Sequence, residues 1–81
     1  MKYKINQTFN TLSVLMDEKQ HLARLADFID KSDKFRVMEI RYNTMSSVGT
    51  IIIYCNGAND EAARATLQEL VAGYIYTNQL N

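Results

Sequence analysis

With 81 residues the chain has room for one domain, 1–81, and no second core, and at that size folding buries only about 60% of the surface the unfolded chain exposes. Hydrophobic residues at 47% and charged residues at 22% exclude a disordered, highly charged chain. Nine Lys/Arg balance nine Asp/Glu, so no overall field draws it to nucleic acid or to an anionic membrane.

The charge is unevenly spread. Residues 1–49 carry eight Lys/Arg and six Asp/Glu, whereas residues 50–81 carry Arg64 against Asp60, Glu61 and Glu69. Cys55 is the sole cysteine, which rules out an internal disulfide. The opening residues lack the apolar core of a signal peptide, and no apolar run approaches the roughly 18 residues of a membrane span. These features lead us to expect a cytoplasmic protein.

At the start of the chain, Tyr3, Ile5 and Phe9 fall on one parity and Lys2, Lys4, Asn6 and Thr8 on the other. Period two with one polar face predicts a half-buried strand. The segment 10–16 contains Leu12, Val14, Leu15 and Met16, fits neither period cleanly and reads as an irregular connector. Asp17 has the chemistry of a helix N-cap, with Gln20 at the capping-box position. Leu22, Leu25, Ala26 and Ile29 follow at helical spacing, and the polar run 30–34 ends that helix.

Residues 35–42 and 50–55 read as a hairpin. A loop of 46–49 pairs Tyr42 with Ile53, and a turn at Ser46-Ser47 pairs Tyr42 with Ile51. The longer loop is preferred because Gly49 tolerates positive φ. Either way Met38, Ile40, Tyr42, Ile51, Ile53 and Cys55 share the core face. Val37, Glu39, Arg41, Ile52, Tyr54 and Asn56 share the other.

Asn59 is the expected N-cap of the last helix, whose buried stripe is Ala63, Leu67, Leu70, Val71, Tyr74 and Ile75. Gly73 costs about 1 kcal/mol there relative to Ala, which suggests a close backbone approach. The predicted fold is a small two-layer α+β sandwich in the order strand-helix-strand-strand-helix. A β-hairpin plus the N-terminal strand is covered on one face by two helices. A right-handed crossover would set the first strand parallel to a hairpin strand.

Chemistry-bearing residues are few. Asp17 and His21 lie one helical turn apart, but no motif supplies a nucleophile beside them. Cys55 on an apolar strand has the setting of an inert thiol. Asp27, Asp30 and Asp33 recur every third residue without the glycine and glutamate of a calcium loop. No cofactor and no metal are expected.

Lys2, Lys4 and Arg41 with Tyr54 supply cations and an aromatic ring on strands, the chemistry of a nucleic-acid-binding sheet face, although Glu39 sits among them. The element order resembles double-stranded-RNA-binding domains. That family's Lys-rich start to the final helix is replaced here by Asn59-Asp60-Glu61, which repels phosphate, and the family is not assigned.

The expectation is a non-enzymatic module that binds another protein as an inhibitor or regulator, with nucleic-acid binding or transcription regulation as the alternative. Partner-binding candidates are Glu39, Arg41, Ile52 and Tyr54 on the open sheet face, and Tyr76 on the back of the last helix beside Ala62, Ala65, Glu69, Ala72 and Gly73. Homodimer formation is a further expectation. Small size, the missing site and a Lys/Asn/Ile-leaning composition suggest a phage or mobile-element origin.

Overall fold

The computed structural model describes residues 1–8, 11–54 and 61–80. Two helices pack on one face of a single antiparallel sheet, the two-layer α+β architecture expected from the sequence. The elements are β1 (Tyr3–Gln7), β2 (Thr11–Met16), α1 (Lys19–Lys31), β3 (Arg36–Asn43), β4 (Val48–Tyr54) and α2 (Glu61–Thr77). The sheet order is β1-β2-β4-β3. Cys55 and Asn59 lie outside the described residues, as do the roles expected of them.

The segment expected to be a connector is the strand β2. Leu12, Val14 and Met16 point into the core, and Thr11, Ser13 and Leu15 point the other way. Leu15 is the apolar residue that breaks the alternation, because it lies on the uncovered face. β2 pairs with β1 and, in the centre of the sheet, with β4. All neighbouring strands are therefore antiparallel, and the first strand lies parallel to no neighbour. The crossover through α1 starts from β2 and ends in β3, with β4 lying between those two strands.

Asp17 does not cap α1. Its carboxylate accepts from the Lys2 backbone N–H at 2.9 Å and so fastens the end of the β1–β2 pair. The N-cap is Glu18, with extended backbone and no side-chain cap bond, so Gln20 completes no capping box. Leu22, Leu25, Ala26 and Ile29 are buried as the helical spacing requires. At the other end the Ser32 hydroxyl donates to the Ile29 carbonyl at 2.6 Å, and Asp33 takes φ 63°, which turns the chain out of the helix.

The β3–β4 register is Tyr42↔Gly49 and Asn43↔Val48, two residues from the nearer expected pairing. The turn occupies 44–47, and Ser47 rather than Gly49 adopts positive φ, at 57°. Asn43 organises it: its side-chain oxygen accepts from the backbone N–H groups of Met45 at 2.9 Å and Ser46 at 3.2 Å. Gly49 serves packing instead. A Cβ there would stand 2.9 Å from Leu22 Cδ1 and 3.1 Å from Met16 Sδ, so its absence lets α1 settle on the sheet.

β3 contains a bulge at Met38, where Val37 opposes Ile53 and Glu39 opposes Ile52. The bulge shifts the alternation. Val37 packs against the core, whereas Met38, expected inside, is 57% exposed. Ile40 lies on the helix side as expected but is 43% exposed, because β3 is an edge strand.

On α2, Leu67, Val71, Tyr74 and Ile75 are buried, with Ala63 and Leu70 half-buried. Gly73 faces open space, with nothing within 4 Å of a Cβ placed on it, so the close backbone approach expected there does not occur among the described residues. The helix ends with Gln79 in the left-handed region, φ 56°; the Leu80 N–H donates to the Ile75 carbonyl at 2.9 Å and that of Gln79 to Tyr76 at 3.2 Å. This is the paired terminal hydrogen bonding usually completed by glycine. Among the described residues no helix is long and apolar enough to cross a membrane.

Ile53 has no exposed surface and sits opposite Leu12 and Val37. Ile53→Ala should cost about 2–5 kcal/mol in denaturant unfolding, as for an emptied core isoleucine site. An unchanged unfolding midpoint would contradict this core assignment. The two glycines should respond with opposite sign. Gly49→Ala forces the Leu22 methyls and Met16 sulfur apart and should destabilise by about 1 kcal/mol. Gly73→Ala, in open space on a helix, should stabilise by up to about 1 kcal/mol. Thermal melts of both variants check the pair.

Candidate functional site

The helices cover one sheet face and leave the other open. Cross-strand pairing sets the open face out in rows. Lys4, Leu15, Thr50 and Arg41 form one row across the four strands, and Asn6, Ser13, Ile52 and Glu39 the next. Thr11, Tyr54 and Arg36 form a third across β2, β4 and β3. Val48, opposite Asn43, closes the turn end.

The chemistry sorts by strand. The central strands β2 and β4 contribute Leu15, Val48, Ile52 and Tyr54, the first three half-buried and Tyr54 45% exposed. The edge strands contribute Lys4, Arg36, Glu39 and Arg41, all exposed. With adjacent strands about 4.8 Å apart, Lys4 and Arg41 stand roughly 14 Å from one another across an apolar middle. Near Lys4, a shallow depression is lined by Lys2, Lys4, Leu15, Asp17 and Val48 among others.

Glu39 and Arg41 are two residues apart on one strand, share the face, and form a hydrogen-bonded ion pair through Arg41 Nε. That hydrogen bond, aided by the opposite charge, holds the Glu39 carboxyl below the ordinary glutamate value and raises the guanidinium. Both side chains keep about half or more of their surface in water, so the bond fixes their position more than it stabilises the fold.

Four of the five expected partner-binding residues thus come together on this face: Glu39, Arg41, Ile52 and Tyr54. Tyr76 stands apart on α2 and is 78% exposed. Ala62, Ala65, Glu69, Ala72 and Gly73 are also exposed on that helix. Leu15 and Val48 belong to the open face but are not legible as such, since the sequence reads as a connector at one and a loop at the other. The parity signal at 11–16 could have found Leu15.

Other expected clusters resolve into structural contacts. His21 does not pair with Asp17. Its Nδ1 lies 2.8 Å from the Tyr74 hydroxyl, which ties α1 to α2, and the two rings meet edge to face. Burial pushes the Tyr74 phenol up, partly opposed by the charge of Arg24. Asp27 pairs with Lys31 at 2.9 Å, and Asp30 accepts from the Val37 N–H at 3.1 Å. Among the described residues no group of three or more His, Cys, Asp or Glu is placed to hold a metal ion.

Comparison with known protein families, with curated proteins and with solved structures gives no match.

Removing the guanidinium should release Glu39. In Arg41→Ala the Glu39 carboxyl should rise back towards the ordinary value of 4.5, read by carbon-detected NMR titration. Because the folded value is depressed, the pair's contribution is present above the unfolded pKa and lost as pH falls through the folded one. An unmoved Glu39 titration in the variant would show that the ion pair is not populated in solution.

Proposed function

We propose that this chain is a small non-enzymatic binding module, an inhibitor or regulator that docks another protein on its open sheet face in the reducing cytoplasm. One observation carries this reading. The two central strands present the uncovered apolar strip Leu15, Ile52 and Tyr54, framed by charged residues on both edge strands. A charge-depleted centre with a polar rim is the usual anatomy of a protein–protein contact, and tyrosine and arginine are its favoured anchors. Tyr54 supplies the ring, Ile52 and Leu15 the flat apolar floor, and Arg41, held in place by Glu39, a rim charge.

A second reading draws on the cations at both edges. Lys4, Arg36 and Arg41 around Tyr54 suit a single-stranded nucleic acid, whose bases stack on aromatic side chains while cations follow its phosphates. The protein reading is preferred because Tyr54 is the one aromatic ring on the described part of this face and Glu39 neutralises Arg41.

Tyr54→Ala should weaken capture of the cellular partner about thirtyfold, the equivalent of about 2 kcal/mol, with the melting temperature little changed. Affinity capture with quantitative mass spectrometry, run beside Tyr76→Ala and an oligonucleotide anisotropy titration, checks this. Loss of binding in Tyr76→Ala alone moves the site to α2. Salt-sensitive oligonucleotide binding that needs Lys4 and Arg36 replaces the protein reading with the nucleic-acid one.

A further inference from the structure

The two edges of the sheet are treated differently. β1 is short, and Arg64 reaches from α2 to donate to the Ile5 carbonyl at 3.1 Å, covering that edge. β3 is eight residues long, has no neighbour on its outer side among the described residues, and exposes Met38 and Ile40. A groove beside it is lined by Ala23, Ala26 and Asp27 of α1 with Val37 and Ile40. An uncovered apolar edge strand is a template for pairing with another strand.

We propose that β3 pairs antiparallel with β3 of a second copy of this chain, with Ile40 on the two-fold axis, joining two sheets into one of eight strands. The free edge and the charge pattern each set the register, and because that pattern complements itself the occupant is a second copy. The first is the length of edge available. The Val37 N–H is already taken by Asp30 at 3.1 Å, and the turn held by the Asn43 side chain begins immediately after β3. The open window is residues 38–42, and its midpoint is Ile40.

The second observation is charge. A two-fold axis normal to the sheet keeps each side chain on its own face, so residues of like face must oppose one another. Registers centred on Met38 or Tyr42 run past the ends of the window, which leaves three, centred on Glu39, Ile40 and Arg41. Centring on Glu39 sets two carboxylates opposite each other, and centring on Arg41 sets two guanidinium groups opposite each other. Centring on Ile40 sets Glu39 opposite Arg41 of the second copy, twice. Opposite charges across a strand pair stabilise it and like charges directly opposite destabilise it. The Glu39–Arg41 pair of each copy then becomes one ring of four alternating charges on the continuous open face. On the helix side the two Ile40 side chains meet at the mouths of the two grooves.

This inference is independent of what docks on Leu15, Ile52 and Tyr54, and the experiment keeps the two apart. Sedimentation equilibrium from about 1 μM to about 1 mM should show a concentration-dependent dimer. Glu39→Arg alone sets arginines face to face twice, and Arg41→Glu alone does the same with glutamates. Each should weaken dimerisation about tenfold or more. Mixed in equal amounts, the two variants should form a heterodimer, since each supplies the charge the other lacks. Neither a folding defect nor a general loss of charge produces that recovery. Tyr54→Ala should leave the dimer intact.

A covalent probe covers the case in which a charge variant fails to fold. In a Cys55→Ser background, Ile40→Cys should give a disulfide-linked dimer under mild oxidation, because residues directly opposite on antiparallel strands lie about 4.5–5.5 Å apart at Cα. Met38→Cys and Tyr42→Cys face one another and not themselves, so each alone should give no disulfide-linked dimer. A native chain that stays monomeric throughout the range, a mixture that does not recover, or crosslinking as strong at 38 or 42 as at 40 would overturn the proposal.

Discussion

The β2–β4 ladder is the constraint on which the rest of the molecule depends. Each of the two hairpins, β1–β2 and β3–β4, is a two-stranded ribbon, and such ribbons are at best marginally stable in water. Laying β2 against β4 brings Leu12 opposite Ile53, Val14 opposite Ile51 and Met16 opposite Gly49. Five of these are large, buried apolar side chains, and the sixth position is empty so that Leu22 can fill it. α1 sits over this floor through Leu22, Leu25, Ala26 and Ile29, and α2 completes it through Leu67, Val71, Tyr74 and Ile75. The tyrosine joins the helices by its bond to His21 and its packing against Phe28.

Placing both helices on one side leaves the other side of the same ladder uncovered. The residues that alternate with the core positions on β2 and β4 then become a surface: Ser13 and Leu15 on one strand, Thr50, Ile52 and Tyr54 on its neighbour. The pairing that builds the core therefore also sets the layout of the proposed docking face. Changes to the inward rows act on stability, whereas the outward rows carry the proposed recognition.

The sequence was most legible where a period ran unbroken. The α1 stripe and the inward Ile51 and Ile53 follow directly from helical and strand spacing, and the same parity put Arg41, Ile52 and Tyr54 together on the open face. Legibility failed where one residue interrupted a period for a tertiary reason. Leu15, apolar on the open face, disguised β2. Met38, the extra residue of a bulge, carries no local marker, and it reversed the assignment of Val37. Gly49 is a turn signal by its type, yet the Asn43 side chain builds the turn and Gly49 is needed under Leu22. Asp17 looked like a helix cap because its alternative partner, the Lys2 N–H, is distant in sequence. At Asp17 and Gly49 the deciding contact joins segments far apart in sequence.

The same ladder bears on how the chain reaches its folded state. The β1–β2 and β3–β4 pairs join neighbouring segments, whereas Met16 and Gly49 are 33 positions apart and Thr11 and Tyr54 are 43 apart. Loop-closure entropy grows with the logarithm of length, so closing a span of that size costs about 2 kcal/mol more than closing a four-residue turn. Local hairpins and α1 are the inexpensive first steps, and the central ladder is the late, cooperative one. Until it closes, the apolar rows of β2 and β4 have no partners. The longest-range pairing of the fold and the joining of its apolar rows therefore fall on the same pair of strands.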